Sequence, residues 1–162
     1  MALEQFLPIQ VFAFLLVFSR LAGTLMLLPG LGEAYVPPRV RLLFALLLSI
    51  IVAPLVSAFL PPEPGSIFLL FKLILAEIVI GIYIGIVARM LLLTLDSVGR
   101  FIALTIGMSN AEVFNPSIST QASLPGLLLT TMGVLILFST NMHHVLIMGI
   151  SESYTMFPVG VF

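Results

Sequence analysis

The chain has 162 residues, 60% of them hydrophobic and 8% charged, with a formal net charge of −1. A mean hydropathy of +1.27 lies far above that of soluble domains and assigns the chain to a membrane. That charge balance has no basic field or Lys/Arg-rich run for nucleic acid, and the absence of Cys removes disulfides, thiolate metal sites and cysteine nucleophiles.

From the N-terminus, MALEQFLPIQVFAFLLVF carries Glu4 where a signal peptide has its basic cluster, and no small-residue cleavage site follows, so the run is read as a retained span. Ile9 to Leu28 is apolar apart from Gln10, Ser19, Arg20 and Thr24, and Pro29-Gly30 with Gly32 ends it. The connector GLGEAYVPPRVR holds Glu33, Arg39 and Arg41, with Pro37-Pro38 just ahead of the next helix, where a missing N–H matters least. Leu42 to Leu60 contains no charge and would measure roughly 28 Å as a helix, about one hydrocarbon thickness. Pro54 is expected to kink it and PPEPG to end it.

Ile67 to Leu95 would be roughly 43 Å long if unbroken, more than a simple span, and it carries Lys72, Glu77 and Arg89. Such a length implies tilt, a break, or a helix continuing past the bilayer, and DSVGRFIALTI after it keeps helical spacing. The stretch GMSNAEVFNPSISTQ, residues 107–121, interrupts the apolar pattern. Leu124 to Met148 resumes it as one further segment, with Pro125 in its first turn and Asn141, His143 and His144 in its last third. The fold class is therefore all-α, an integral membrane helical protein of about four long hydrophobic segments in a single domain, without an internal repeat.

Few residues offer chemistry. Glu77, Gly81, Gly85 and Arg89 recur every four residues and so share one slowly drifting stripe of a helix. Small residues at that spacing admit a close helix neighbour, and a charge at that depth must face protein or water, which reads as a tight interface with a structural ion pair. A proton relay through Glu77 is the competing reading. His143-His144 point about 100° apart on a helix and have no further His or Cys to complete a metal site. No G-x-S-x-G is present and Asp96 is the sole Asp, so neither an enzyme nor a cofactor is expected. For 107–121 two readings stand. It is a solvated loop of ordinary turn residues, or a re-entrant element in which Ser109 and Asn110 satisfy backbone locally, Met108, Val113 and Phe114 seal, and Gly107 and Asn115-Pro116 bend.

The order and spacing of SRLAG, LLPGLG, VPPRVRLLFALLLS, E-x-x-x-G-x-x-x-G, GMSNAEVFNPSISTQ and TNMHHVLIMGISESYTMFPVG resemble the FliR/SctT family, the export-gate membrane subunit of flagellar and injectisome type III secretion. The likeness covers nearly the whole chain, with Asn115-Pro116 and Asn141-Met142-His143 standing where the family often has Asp-Pro and Asn-Gly-His. The resemblance implies a non-catalytic subunit, one copy of which assembles with several FliP-like and FliQ-like subunits in the bacterial inner membrane and passes unfolded polypeptides. It also implies that 107–121 plugs the pore, that the complex rises out of the membrane plane, and that this chain is the N-terminal portion of a longer protein. The alternative function is a proton-coupled or small-molecule transporter that uses Glu77.

Overall fold

The computed structural model describes residues 3–33, 35–62, 64–107 and 123–160. These form helices α1 (Leu3–Leu27), α2 (Pro38–Val56), α3 (Ile67–Thr105), α4 (Leu124–Ser139) and α5 (Met142–Met156), with one 3₁₀ turn at Ser57–Phe59 and no strand among the described residues. Three helices are long and apolar enough to cross a membrane, over Gln10–Leu27, Pro38–Val56 and Ile67–Thr105, and α4 with α5 makes a fourth if the bent pair is one broken span. The all-helical membrane fold read from the sequence is the fold observed.

The first connector is held by its own polar groups. Leu28 still donates to Thr24 O at 3.0 Å, but Pro29 has no N–H to extend the ladder, and Gly32 turns back to donate to Leu28 O at 2.7 Å. The Arg41 guanidinium then donates to the Val36 carbonyl, at 3.1 Å from Nε and 2.8 Å from Nη2, and to the Glu33 carbonyl. This cation is a staple for carbonyls that no helix satisfies. Pro38 opens α2 as its first residue, four positions earlier than the apolar run alone indicates, because Pro37 O already accepts from Val40 at 3.0 Å. Pro54 lies inside α2, which gives way after Val56 to the 3₁₀ turn, where Ser57 Oγ donates to Pro54 O at 2.9 Å.

Helix α3 settles the question of its length: it runs unbroken for 39 residues, roughly 58 Å, nearly twice a hydrocarbon thickness. The segment DSVGR is its continuation, and Asp96 and Arg100 pair one turn apart, with Oδ2 accepting from Nε at 3.0 Å and lying 2.9 Å from Nη2. By contrast, the segment expected to run from Leu124 to Met148 is two helices. Thr140 directs both its N–H (2.9 Å) and its hydroxyl (2.7 Å) onto Ile136 O, and Asn141 adopts a left-handed φ of 58° that stops the ladder. Asn141 O then accepts from His144 N at 3.1 Å and starts α5.

The chain divides into two compact units, Met1–Ala88 with Val145–Phe162, and Arg89–His144. In the first, Leu16, Val17, Leu21, Ile150 and Tyr154 are fully or almost fully buried and pack with Val56 and Leu73. A smaller cluster joins Leu25, Leu28 and Ala45. Because lipid tails are as apolar as Leu, such cores hold by close packing rather than by escape from water. In the second unit α3 and α4 touch backbone to backbone at Gly99 and Gly126, where a Cβ on either would collide with the other helix or its polar neighbours. Gly107 ends α3 with a left-handed φ of 76° that side-chain-bearing residues seldom adopt, and Ser123 Oγ caps α4 by accepting from Gly126 N at 3.2 Å. Met108, Ser109, Asn110, Val113, Phe114, Asn115 and Pro116, which the sequence reading places in a plug, lie outside the described residues.

Candidate functional site: a buried charge cluster on α1, α3 and α5

Glycines bring α1 and α3 together. A Cβ at Gly81 would run into the carbonyl oxygen of Arg20, and one at Gly85 would stand 2.8 Å from Leu27 Cβ and 2.9 Å from Thr24 O. From the other side, a Cβ at Gly23 would lie 3.0 Å from Ile78 O. The lack of side chains at these positions lets the two backbones meet. One turn before Gly81 on the same stripe, the closeness delivers Glu77 to the side chain of Arg20.

Arg20 is 0% and Glu77 1% exposed. Their contact is bidentate, Nε to Oε2 at 2.6 Å and Nη2 to Oε1 at 3.0 Å. The end of α5 completes the cation's shell: Nη1 donates to Ser153 Oγ at 3.1 Å and Nη2 to the Phe157 carbonyl at 3.0 Å, while the guanidinium stacks 3.9 Å from the Tyr154 ring centroid. The Ser153 hydroxyl donates in turn to Ile150 O at 2.6 Å, and the Phe157 ring stands edge-on to Tyr83 at 6.2 Å. Three helices are thus tied by one arginine.

Chemically the cluster is closed. Both carboxylate oxygens of Glu77 accept from a group that does not give up its proton in proteins, so the guanidinium cannot itself serve as the next station of a proton relay. Such a pair contributes positional specificity more than net stability, although removing one partner strands a buried charge.

Of the residues singled out beforehand, Glu77, Gly81 and Gly85 come together here with α1, while Arg89, half-buried on α3, takes no part in the cluster. Without Trp, the sequence leaves interface anchoring to Tyr residues such as Tyr154 and to the Arg residues, but Tyr154 and Arg20 are fully buried in this cluster instead; Ser153 was not singled out, and the signal for Arg20 was a lone cation in one span matched by a lone carboxylate in another. The rings of His143 and His144 do not diverge as expected. Their centroids lie 4.1 Å apart, with Phe138 stacked 5.0 Å from His143. Among the described residues no three His, Asp or Glu stand together as a metal site.

The glycine contacts carry a direct expectation. Gly81→Leu with Gly85→Leu should leave membrane insertion normal but sharply reduce recovery of a protease-resistant fold, since the added atoms meet backbone that cannot move aside. Wild-type recovery of the double variant would show that the two helices part without consequence.

These features define a multi-span helical membrane protein whose deepest charges bind its own helices to one another. Residues 11–162 match the family described as bacterial export proteins, family 1, and the chain belongs to that family. It is similar to the flagellar biosynthetic protein FliR of Caulobacter vibrioides, 36% identical over 149 residues that cover 92% of this chain and 59% of the relative. FliR of Bacillus subtilis is 33% identical over 146 residues, covering 88% and 54%. Yop proteins translocation protein T of Yersinia pestis is 36% identical over 95 residues, covering 59% and 36%. The FliR/SctT resemblance read from the motifs is therefore borne out, and the chain spans little more than half the length of the FliR relatives it matches.

Proposed function

We propose that the chain is a non-catalytic subunit of a type III protein-export gate in the bacterial inner membrane, where it assembles with FliP-like and FliQ-like subunits around a passage for unfolded polypeptide. The observation that carries this reading is the family match along residues 11–162. In the same proposal residues 107–121 close the passage. The described residues on either side support that role: Gly107 leaves α3 in a left-handed turn, Ser123 caps α4, and the two helices meet at Gly99 and Gly126. The bidentate engagement of Glu77 by Arg20 weighs against a proton-coupled transporter, whose coupling carboxylate has to exchange its proton.

The test is composition. The complex isolated through a tag on this protein should contain an unequal mixture of three membrane subunits, with one copy of this chain against several of the others. A homo-oligomer, or an equimolar pair, would overturn the reading.

A further inference from the structure

Arg89 is the cation that the charge cluster leaves out. Residues four apart on a helix gain a net turn of about 40°, so three such steps carry Arg89 about 120° round α3 from Glu77. The drift moves Arg89 off the side where Gly81 and Gly85 meet α1 and onto the edge of the exposed side. There its neighbours one and two turns away include Ile82, Ile86 and Leu93, all exposed. The guanidinium is half-buried, and no ion pair or hydrogen bond engages it among the described residues. The other arginines that are buried or half-buried are engaged, Arg20 by Glu77 and Arg41 by the Val36 carbonyl. On α3 itself, Arg100 has Asp96 and Lys72 has an interaction of its own.

A half-buried, unpaired guanidinium in apolar surroundings has the same consequence in either setting that α3 can occupy. In lipid, the charge has to be met by protein or by water that protein encloses. Raised out of the membrane, Ile82, Ile86 and Leu93, with Val79 and Met90 beside them, would give water a continuous apolar strip, and whatever covers that strip closes over the arginine as well. A cover made only of apolar atoms would strand the charge, so it has to bring an acceptor. The spacing says what kind of cover fits. Ile82, Ile86, Arg89 and Leu93 are separated by four, three and four residues, the period of a helix–helix seam, and one polar residue in such a seam sets its register and its partner.

We infer that Arg89 fixes the register of a seam between α3 and a helix of a neighbouring membrane subunit, and that this helix is apolar apart from an Asp or Glu set opposite the guanidinium. A carboxylate is the acceptor that matches the guanidinium fork with two parallel bonds. The inference rests on the export-gate reading and deepens it by naming the contact that orients this subunit among its partners.

The test changes Arg89 in the full-length protein, produced with its partner subunits. Arg89→Gln should lower the yield of complex recovered through a tag on this protein by about tenfold or more, and Arg89→Glu further, since it sets like charges face to face. Arg89→Lys should fall between Gln and wild type, because a point charge cannot form the fork. Protease resistance of the membrane-inserted chain should not change in any of the three, as no described helix of its own holds the guanidinium. Selection for restored export from Arg89→Glu should return an Asp or Glu changed to Lys or Arg in a membrane segment of a partner subunit, and that change by itself should be defective beside an unaltered Arg89. As a measure independent of the charge, a photo-crosslinking amino acid at Leu93 should capture the same subunit. Wild-type yield from the Gln and Glu variants means that water serves Arg89, and wild-type yield from Lys with a defective Gln means that a lipid phosphate does. Each overturns the inference with the export reading intact. Lost protease resistance, or suppressors confined to this chain, assign Arg89 to the fold of its own protein and overturn it too. A wild-type complex without other membrane subunits defeats the export-gate reading itself.

Discussion

Replacing Arg20 by Ala is expected to cost about 3–5 kcal/mol, the usual penalty for removing one member of a buried pair, and so to lower the folded-to-unfolded ratio by about two to four orders of magnitude. The loss has two parts. Glu77 is left charged and unpaired at 1% exposure, and α5 loses the donors that hold Ser153 and the Phe157 carbonyl. Glu77→Ala should do comparable damage by stranding the guanidinium. Substituting both residues with Met, of similar length and no charge, should recover most of the fold, because the paired desolvation disappears with the pair. Protease resistance of the membrane-inserted chain and yield of the assembled complex read the effect. Export measured in the same cells separates structure from coupling. If the double Met variant folds and assembles but exports nothing, Glu77 has a role beyond holding helices, and the transporter-like reading returns.

Deleting residues 109–119 is expected to leave assembly largely intact and to make the membrane leak small ions and metabolites. A plug has to hold against solutes and yield to a polypeptide, which calls for a closed state favoured by only a few kcal/mol, with an open state near 0.1–10%. Met108, Val113 and Phe114 fit that range, since each can bury apolar area worth about 1.5–3 kcal/mol at most. If closure keeps the passage open about 1% of the time, removing the segment should raise conductance by about a hundredfold. Small-solute uptake in cells that express the deletion with its partner subunits measures it, with complex yield followed in parallel. An unchanged leak from a normally assembled complex would return 107–121 to the status of a solvated loop. The remaining hairpin neck, with Gly99 against Gly126, argues that the deletion will not unravel the unit that carries it.

Membrane spans were legible because an apolar run of hydrocarbon length leaves few alternatives, and the observed candidate spans at Gln10–Leu27, Pro38–Val56 and Ile67–Thr105 follow those runs. The break before Met142 was not. Thr140 and Asn141 look like mild polar residues near the end of a long segment, and only the competition of side chain and backbone for Ile136 O, together with a left-handed Asn141, turns them into a helix end. The length of α3 was legible as an anomaly, and the helical spacing of DSVGRFIALTI pointed to its continuation; Asp96 and Arg100, paired one turn apart, fit that continuation without deciding it. The glycine stripe correctly indicated a close helix neighbour but could not say which one. Periodicity reports which residues share a face of their own helix, so it joined Glu77 to Arg89. The partner observed, Arg20, lies 57 residues away in sequence. A long-range pairing of this kind leaves no local pattern, and only the scarcity of charge inside two separate spans hints at it.

The first compact unit is interrupted in sequence by the whole of the second, and this sets an order for biosynthesis. Arg20 is made 57 residues before Glu77 and 133 before Ser153, so its shell fills in two instalments. At about 5–20 residues per second, several seconds separate the arrival of the carboxylate from that of the final turn of α5. Through that interval the nascent chain holds a mid-span guanidinium whose charge is already matched by the fork of Glu77, while its other donors await the serine and the carbonyl. The second unit, complete by His144, is finished before the residues that close the first have left the ribosome. Translation therefore delivers the hairpin that bears 107–121 ahead of the arginine shell's last ligands, and the earliest helix is locked only once the last turn of α5 has been made.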